Sequence, residues 1–303
     1  MIKPTKAIIA AAGFGTRFLP QTKAMPKEML PLIDKPIIQY IVEELVGAGV
    51  RDIIIVGSQT KRAIEDHFDQ PNEDLLANLR AGGEKKRPLI DQITRLSELA
   101  NFVYVRQKGP YGNAAPLLSA EHLVDRDEPF IYTWADDFLV AKPQSRFAQM
   151  IEVYEKTGAA VLSCKRVVND TEYDRYGIAA GEEVKKGLIK ISRIVEKPGK
   201  TNAPSDLASV SSYLLPGSFF NYLDLAAQKF DGHGEFTFQP IMQAMIDDGR
   251  DFMAYEVQNA TYYDTGDKLE YLKTVLDFAL DHPELGAPLR DFLREKLEKQ
   301  KKK

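Results

Sequence analysis

A glycine-rich turn near the start of the chain carries residue types that bind phosphate groups. Gly13 and Gly15 follow a short apolar stretch, and Arg17 comes just after them. Glycine permits a positive φ and lets backbone N–H groups approach a ligand, while arginine supplies a fixed cation for a phosphate. An ordinary tight turn explains a pair of glycines equally well. Phe18 stands where a dinucleotide fingerprint needs its third glycine, which argues against a nicotinamide-dependent oxidoreductase.

A long irregular connection follows this turn. It contains three prolines between Pro20 and Pro31, together with Lys23 and Lys27. Connections of this length in a compact domain are usually either functional or disordered, and the rigid prolines favour a functional loop. Lys27 is then a second cation for the same polyphosphate as Arg17.

Two acidic segments are further candidates for chemistry. Asp136 and Asp137 end a strand-like stretch, and ligands of open α/β sheets bind at the carboxyl ends of strands. A solvated turn is the alternative for this pair, because aspartate favours turns. Asp264 and Asp267 lie in the segment Tyr-Tyr-Asp-Thr-Gly-Asp-Lys. Asp267 is placed to cap the N-terminus of the helix that follows.

The glycine-rich turn and its connection together form an extended motif. From Gly13 the chain reads Gly-Phe-Gly-Thr-Arg-Phe-Leu-Pro, and from Thr22 it reads Thr-Lys-Ala-Met-Pro-Lys-Glu-Met-Leu-Pro. The motif resembles the signature of the nucleoside-diphosphate-sugar pyrophosphorylases, and its longer form is similar to that of the bacterial members that make UDP-glucose. Further matching segments extend the resemblance over most of the chain. It implies Mg²⁺-assisted, in-line attack of glucose 1-phosphate on the α-phosphorus of UTP, giving UDP-glucose and pyrophosphate.

The resemblance also implies a role for individual residues. The metal is expected on two carboxylates, those of Asp136 and Asp264. The expected catalytic cations, which contact pyrophosphate or the sugar phosphate, are Arg17, Lys27 and Lys197. The expected nucleotide-binding residues are Ala11, Ala12, Gly13, Gly15, Thr16, Glu28, Gln107 and Gly112. The expected sugar-binding residues, from the Tyr-Gly, Glu-Lys-Pro and Gly-Glu motifs, are Gly177, Glu196 and Glu235.

Two segments depart from the family pattern. The spacing in Lys108–Gly112 is unusual, which leaves thymidylyl transfer from dTTP as an alternative to uridylyl transfer. Phe238-Gln239-Pro240 replaces the usual Leu-Thr-Asp beside the sugar, so the preferred hexose stays open. A catalytically weak, regulatory paralogue is a further alternative, and retention of Arg17, Lys27 and the motif carboxylates argues against it.

The elements that must position these residues alternate along the chain. Apolar and β-branched runs predict strands at Ala7–Ala12, Asp52–Val56, Asn101–Val105, Pro129–Trp134 and Ala159–Cys164. Helical periodicity predicts helices at Pro36–Gly49, Thr60–Phe68, Asn113–Val124 and Phe147–Thr157. This alternation predicts an α/β fold with a Rossmann-like, mixed but mostly parallel sheet flanked by helices. Turn signals between Ile178 and Lys197 predict an inserted antiparallel hairpin region, and residues 267–303 predict a helical C-terminal segment ending in solvated lysines.

Composition limits the class of protein further. The 303 residues carry 40 Lys+Arg and 44 Asp+Glu, a net charge of −4 that argues against a nucleic-acid binder. The single cysteine, Cys164, excludes an intramolecular disulfide and is expected to be buried. No apolar run predicts a membrane span and no signal-peptide pattern is seen, so a cytoplasmic protein is expected. We expect one domain over residues 1–303, and the resemblance implies a homo-oligomer.

Overall fold

A computed structural model describes residues 2–301, so the last two lysines of the predicted solvated run lie outside the described residues. The strands are β1 (Lys6–Ala10), β2 (Pro31–Leu32), β3 (Lys35–Pro36), β4 (Asp52–Gly57), β5 (Asn101–Arg106), β6 (Phe130–Trp134), β7 (Asp137–Ala141), β8 (Ala160–Arg166), β9 (Gly177–Lys185), β10 (Leu188–Glu196), β11 (Leu207–Leu215), β12 (Phe252–Glu256) and β13 (Ala260–Asp264). The helices are α1 (Ile37–Gly47), α2 (Arg62–Phe68), α3 (Glu73–Ala81), α4 (Arg87–Ser97), α5 (Ala115–Ala120), α6 (Arg146–Thr157), α7 (Gly199–Asn202), α8 (Phe219–Lys229), α9 (Phe238–Asp247), α10 (Lys268–Asp281) and α11 (Gly286–Lys301).

One mixed sheet organises the molecule and confirms the predicted fold class. Its strand order is β5-β4-β1-β6-β11-β8-β12-β10-β9. The first four strands pair in parallel, as do β8 and β12, and the remaining pairs are antiparallel. The predicted hairpin region is the β9–β10 pair at one edge. Because β11 enters the middle of the sheet in the antiparallel sense, the sheet is more evenly mixed than the strand–helix alternation indicates.

The central strands are apolar on both faces, as parallel strands covered by helices must be. Side chains alternate across a strand, so Ile53 and Ile55 enter one buried cluster while Ile54 and Val56 enter the other. The strand Lys6–Ala10 divides its isoleucines between the two clusters in the same way. These rigid strands place their carboxyl ends, and the loops that follow them, at one edge of the sheet.

The helices differ from the sequence expectation at a few boundaries. The predicted helix 113–124 is α5 followed by a 3₁₀ turn over Glu121–Leu123, because Gly112 and Asn113 belong to the loop before it. The C-terminal segment is two helices, α10 and α11, and Pro283 lies in the break between them. Asp267 caps α10 as predicted, since its side chain accepts hydrogen bonds from the N–H groups of Leu269 and Glu270. Within residues 2–301, no helix has the length and apolar character needed to cross a membrane.

Candidate active site

Two clefts meet at the carboxyl ends of the central strands. The first, which we call the glycine-loop cleft, has a volume of about 430 Å³ and is lined by Gly13, Lys27, Gln107 and Gly112, among others. The second, which we call the hairpin cleft, has a volume of about 290 Å³. It is lined by residues of β9, β10, β11 and α9, including Gly177, Glu196 and Gln239. Trp134, at the end of β6, lines both clefts and stands between them.

The glycine-rich turn is held open by side-chain contacts rather than by regular structure. Gly15 has a φ of 64°, in the left-handed region, and its carbonyl accepts a hydrogen bond of 2.7 Å from the Thr22 hydroxyl. The carbonyl of Gly13 accepts a hydrogen bond of 2.6 Å from Lys61 Nζ. The connection that follows forms three 3₁₀ turns between residues 16 and 29. The proline-bearing loop predicted from the sequence is thus an ordered wall of the cleft.

Lys61 and Glu28 form a buried ion pair beneath this wall. Lys61 Nζ lies 3.0 and 2.7 Å from the two carboxylate oxygens of Glu28, and Glu28 is fully buried. Burial raises the pKa of Glu28, although Lys61 and Lys27 oppose that rise. Glu28 therefore supports the cleft through Lys61. Sequence reasoning missed Lys61, because a lysine in the loop after β4 carries no spacing signal that connects it to Glu28.

Replacing Lys61 with methionine should destabilise the fold strongly. The substitution leaves the Glu28 carboxylate buried without its partner, and breaking one side of a buried ion pair typically costs about 3–5 kcal/mol. We expect a loss of that size in the free energy of unfolding measured with urea. Arg62→Met is the matched control, because Arg62 is the next residue and its pair with Asp66 is exposed. Equal unfolding midpoints for the two variants would contradict the structural role of Lys61.

Asp136 and Lys27 form an ion pair on the floor of the glycine-loop cleft. Burial opposes the charge on Lys27, but attraction to Asp136 and Glu28 outweighs it, and the pKa of Lys27 is raised. Lys27 therefore remains a cation at neutral pH. The cation and the carboxylate predicted for this site come together although they are far apart in sequence.

Asp264, the last residue of β13, brings a second carboxylate close to that of Asp136. In the β7–β13 pair Asp264 is the register partner of Asp137, and the Thr265 N–H donates a 3.2 Å hydrogen bond to the Asp136 carbonyl. Arg175 Nη2 is 2.6 Å from Asp264 Oδ2. The small sheet of β7 and β13 thus brings the two predicted metal ligands together.

The side chains of Asp136, Asp264 and Arg17 converge beside Gly266, and we call the space between them the cradle beside Gly266. A methyl group on Gly266 would lie 3.2 Å from Asp264 Oδ1 and 3.5 Å from both Asp136 Oδ2 and Arg17 Nη1. Arg17 Nη1 also donates a 3.2 Å hydrogen bond to the Gly266 carbonyl. Within residues 2–301, no cluster of three or more His, Cys, Asp or Glu side chains could hold a metal by itself. Two carboxylates that converge on one point nevertheless fit Mg²⁺, which is usually bound by one or two carboxylates plus substrate phosphates.

Asp137 faces the other cleft. It lines the hairpin cleft, whereas Asp136, in the bend between β6 and β7, lines the glycine-loop cleft. The Tyr262 hydroxyl donates a 3.1 Å hydrogen bond to Asp137 Oδ2. Burial, with repulsion from Asp136, raises the pKa of Asp137 to about 7. The two adjacent aspartates therefore lie in different surroundings, one in each cleft.

The hairpin cleft contains two of the three predicted sugar-binding residues. Gly177 and Glu196 are register partners of the β9–β10 hairpin, and both line the cleft. Lys197 follows with a φ of 45°, and its N–H donates a 3.2 Å hydrogen bond to the Tyr176 carbonyl. Glu235 is exposed and lies outside the lining of both clefts among the described residues. Gln239, of the altered segment that the sequence placed beside the sugar, lines the hairpin cleft.

Close backbone contact fixes the far wall of the glycine-loop cleft. Gly112 has a φ of 134°, and a Cβ at this position would lie 2.1 Å from the Phe236 carbonyl oxygen. Gln107 and Gly112 both line the cleft, as expected for residues that approach a nucleobase. Of the other predicted nucleotide-binding residues, Ala12, Gly13 and Glu28 line the cleft. The remaining three, which follow β1 and are outside the lining, are Ala11, Gly15 and Thr16.

Comparisons with known proteins identify the family of this chain. A family model described as nucleotidyl transferase matches residues 6–279. A UTP–glucose-1-phosphate uridylyltransferase of Bacillus subtilis is 41% identical over 300 residues, which is 99% of each chain. A UTP-bound UGPase from Acinetobacter baumannii superposes with a TM-score of 0.85 at 34% identity, covering 97% of this chain and 99% of that one. A UDP-glucose pyrophosphorylase complexed with UDP-glucose gives a TM-score of 0.78 at 32% identity, covering 92% and 98%.

The fold is shared with a UTP-bound enzyme over nearly the whole chain, and the family model covers most of it, so this chain belongs to the nucleotidyl transferase family. Two relatives that are 41% and 39% identical to this chain over nearly its full length are both UTP–glucose-1-phosphate uridylyltransferases. Within the family, the chain belongs with the UTP–glucose-1-phosphate uridylyltransferases.

Proposed function

We propose that this protein transfers uridylyl from UTP to glucose 1-phosphate, giving UDP-glucose and pyrophosphate. The observation that carries the proposal is the position of Asp136 and Asp264. Both carboxylates face the cradle beside Gly266, and Asp136 lines the glycine-loop cleft two residues after Trp134, at the junction of the two clefts. A nucleotide in one cleft and a sugar phosphate in the other would bring their phosphates to this junction.

The glycine-loop cleft is suited to the nucleoside triphosphate. The N–H groups around Gly13 and Gly15 can approach the phosphates without a Cβ in the way. Gln107 offers both a donor and an acceptor, as the edge of uracil requires. Lys27 lines this cleft and Arg17 lies beside Gly266, so the two cations can serve the departing pyrophosphate.

The hairpin cleft is suited to the sugar phosphate. Glu196 can accept hydrogen bonds from sugar hydroxyls, and Gly177 lets the ring approach the backbone of β9. Lys197 is exposed beside Glu196, where it can contact the phosphate of the sugar phosphate. We assign Glu235 a smaller part, at the rim, because it is exposed.

The residues present fit a Mg²⁺ ion held by Asp136 and Asp264, completed by substrate phosphate oxygens. When bound, such an ion neutralises charge on the reacting phosphates. Lys27 and Arg175 now neutralise these two carboxylates and have to release them for the ion. Lys27 can then turn to the triphosphate, which lies in the same cleft.

No general base is needed in this reaction. The attacking group is a phosphate monoester that is largely ionised at neutral pH. Catalysis therefore consists of holding the two phosphates in line and neutralising the charge of the departing pyrophosphate. Lys197 orients the attacking phosphate, while Lys27 and Arg17 stabilise the leaving group.

Pyrophosphate release from purified protein tests the proposal directly. UTP and dTTP are each combined with glucose 1-phosphate and with galactose 1-phosphate, in the presence of Mg²⁺. We expect rapid release with UTP and glucose 1-phosphate, and none when EDTA replaces the metal. Activity with dTTP alone would assign the altered loop at Lys108–Gly112 to thymidylyl transfer. Folded protein that binds UTP but releases no pyrophosphate with any pair would contradict the proposal and favour a regulatory paralogue.

We also propose a cytoplasmic, single-domain homo-oligomer. The two apolar clusters share the strands of one sheet, which supports a single domain over residues 1–303. Helices α10 and α11 expose large apolar side chains, including Leu269, Leu272, Phe292 and Leu297, which a second copy would cover. Light scattering of the purified protein measures the oligomeric state. Nucleoside triphosphates and sugar phosphates are cytoplasmic metabolites, which supports the compartment.

A further inference from the structure

Gln239 connects the two clefts through its side-chain amide. It is the second residue of α9, is half-buried and lines the hairpin cleft. Its Nε2 donates a 3.1 Å hydrogen bond to Glu196 Oε1. Its Oε1 accepts a hydrogen bond of 3.4 Å from Asn113 Nδ2, and Asn113 lines the glycine-loop cleft. The glutamine therefore contacts one residue of each cleft.

The carboxylate of Glu196 is held from two sides. On one side, the Gln239 amide donates a hydrogen bond to Glu196 Oε1. On the other side, Gly177 lies so close that a Cβ at this position would be 2.9 Å from Oε1. Because Glu196 lines the hairpin cleft, a hydrogen bond that fixes Oε1 also limits the directions that Oε2 can take. A fixed acceptor discriminates between sugars that differ in the direction of one hydroxyl, because the wrong epimer leaves a polar group unpaired.

Asn113 is itself tied to the segment that carries Gln239. Its Oδ1 accepts a 2.7 Å hydrogen bond from the Phe238 N–H, at the first turn of α9. The adjoining backbones also pair, since the Phe236 N–H donates to the Tyr111 carbonyl at 2.7 Å and the Ala114 N–H donates to the Phe236 carbonyl at 3.1 Å. A nucleotide seated against this loop therefore acts on the same segment that orients Glu196.

We propose that Gln239 is a positioning residue that sets the affinity and hexose preference of the hairpin cleft and makes both depend on Asn113 in the glycine-loop cleft. This inference rests on the proposed function for the identity of the two ligands. It also gives a role to the altered segment Phe238-Gln239-Pro240. Gln239 acts through Glu196, by fixing one carboxylate oxygen and leaving the other for the sugar.

Steady-state kinetics of three variants test the first part of this inference. Gln239→Met keeps the length of the side chain and removes both hydrogen bonds, while Gln239→Glu keeps an acceptor for Asn113 and places a negative charge beside Glu196. In both Gln239 variants we expect the KM for glucose 1-phosphate to rise about tenfold or more, because a hydrogen bond to a charged group is lost. We expect kcat and the KM for UTP to change less than about threefold. The preference for glucose 1-phosphate over galactose 1-phosphate should fall by a similar factor. Gln243→Met is the matched control, because this glutamine lies one turn later in α9 and bonds Ser192 and Asp247 outside both clefts.

Asn113→Asp tests the connection between the clefts. The new carboxylate still accepts from the Phe238 N–H, but it cannot donate to Gln239 and attracts the NH₂ group of Gln239 away from Glu196. We expect a higher KM for the sugar phosphate in Asn113→Asp alone and no additional increase when it is combined with Gln239→Met. Additive effects, or an unchanged sugar-phosphate KM in Gln239→Met, would overturn the inference. Every variant is compared with the wild type on the substrate pair that the wild type uses. If the proposed function is wrong, the wild type itself fails to use UTP and glucose 1-phosphate, whereas a failure of this inference appears only in the comparison of the variants with the wild type.

Discussion

Replacing Asp136 with asparagine should lower kcat for pyrophosphate release by about a thousandfold, which corresponds to about 4 kcal/mol of transition-state stabilisation. The substitution keeps the shape of the side chain and removes one negative charge from the cradle beside Gly266. The fold should be retained, because the contact with Thr265 is made by the main-chain carbonyl of residue 136. The measurement is kcat at saturating UTP and glucose 1-phosphate, together with the urea unfolding midpoint.

Asp137→Asn is the matched control for this prediction. It makes the same chemical change at the next residue, but that side chain lines the hairpin cleft and bonds Tyr262. Because burial raises the pKa of Asp137 to about 7, its wild-type carboxyl is already partly neutral at neutral pH, and asparagine resembles the neutral form. We expect a far smaller loss of kcat. Equal losses in the two variants would contradict the assignment of the metal to Asp136. Weaker binding of Mn²⁺ in the presence of UTP, measured by paramagnetic resonance, should accompany Asp136→Asn alone.

The residues that sequence alone predicted share a local signature. Gly13, Gly15 and Lys27 belong to one continuous motif, and Asp136 follows a strand whose apolar run is easy to recognise. A parallel strand must deliver its next residue to the edge where ligands bind, so the position of Asp136 follows from the strand assignment. The N-cap role of Asp267 is also local, because a cap depends only on the residues of the next turn.

The residues that sequence did not predict act through distant partners. Lys61 pairs with Glu28 and Arg175 pairs with Asp264, and no spacing rule connects either pair. Gln239 bonds residues of β10 and of the loop before α5, which only the fold brings together. The strand order could not be predicted for the same reason, because β11 lies between β6 and β8 and pairs with strands that are remote in the chain. Its serines also interrupt the apolar run that would mark it as a central strand.

Lys27→Met should lower kcat/KM for UTP by about 10²–10³, the usual cost of removing one pre-positioned donor from a site where charge develops. Lys27 lies in the glycine-loop cleft beside Asp136, and its raised pKa keeps it cationic at the pH of the assay. Methionine keeps most of the apolar length of the side chain, so the loss reports the charge. Lys23→Met is the matched control, because Lys23 lies on the same loop and is exposed. If kcat/KM of the two variants agreed within a few fold, the leaving-group role of Lys27 would be wrong.

Lys27→Met also leaves Asp136 without its resident cation. We therefore expect Mn²⁺ to bind the nucleotide-free variant more tightly than the wild type, even though the variant turns over more slowly.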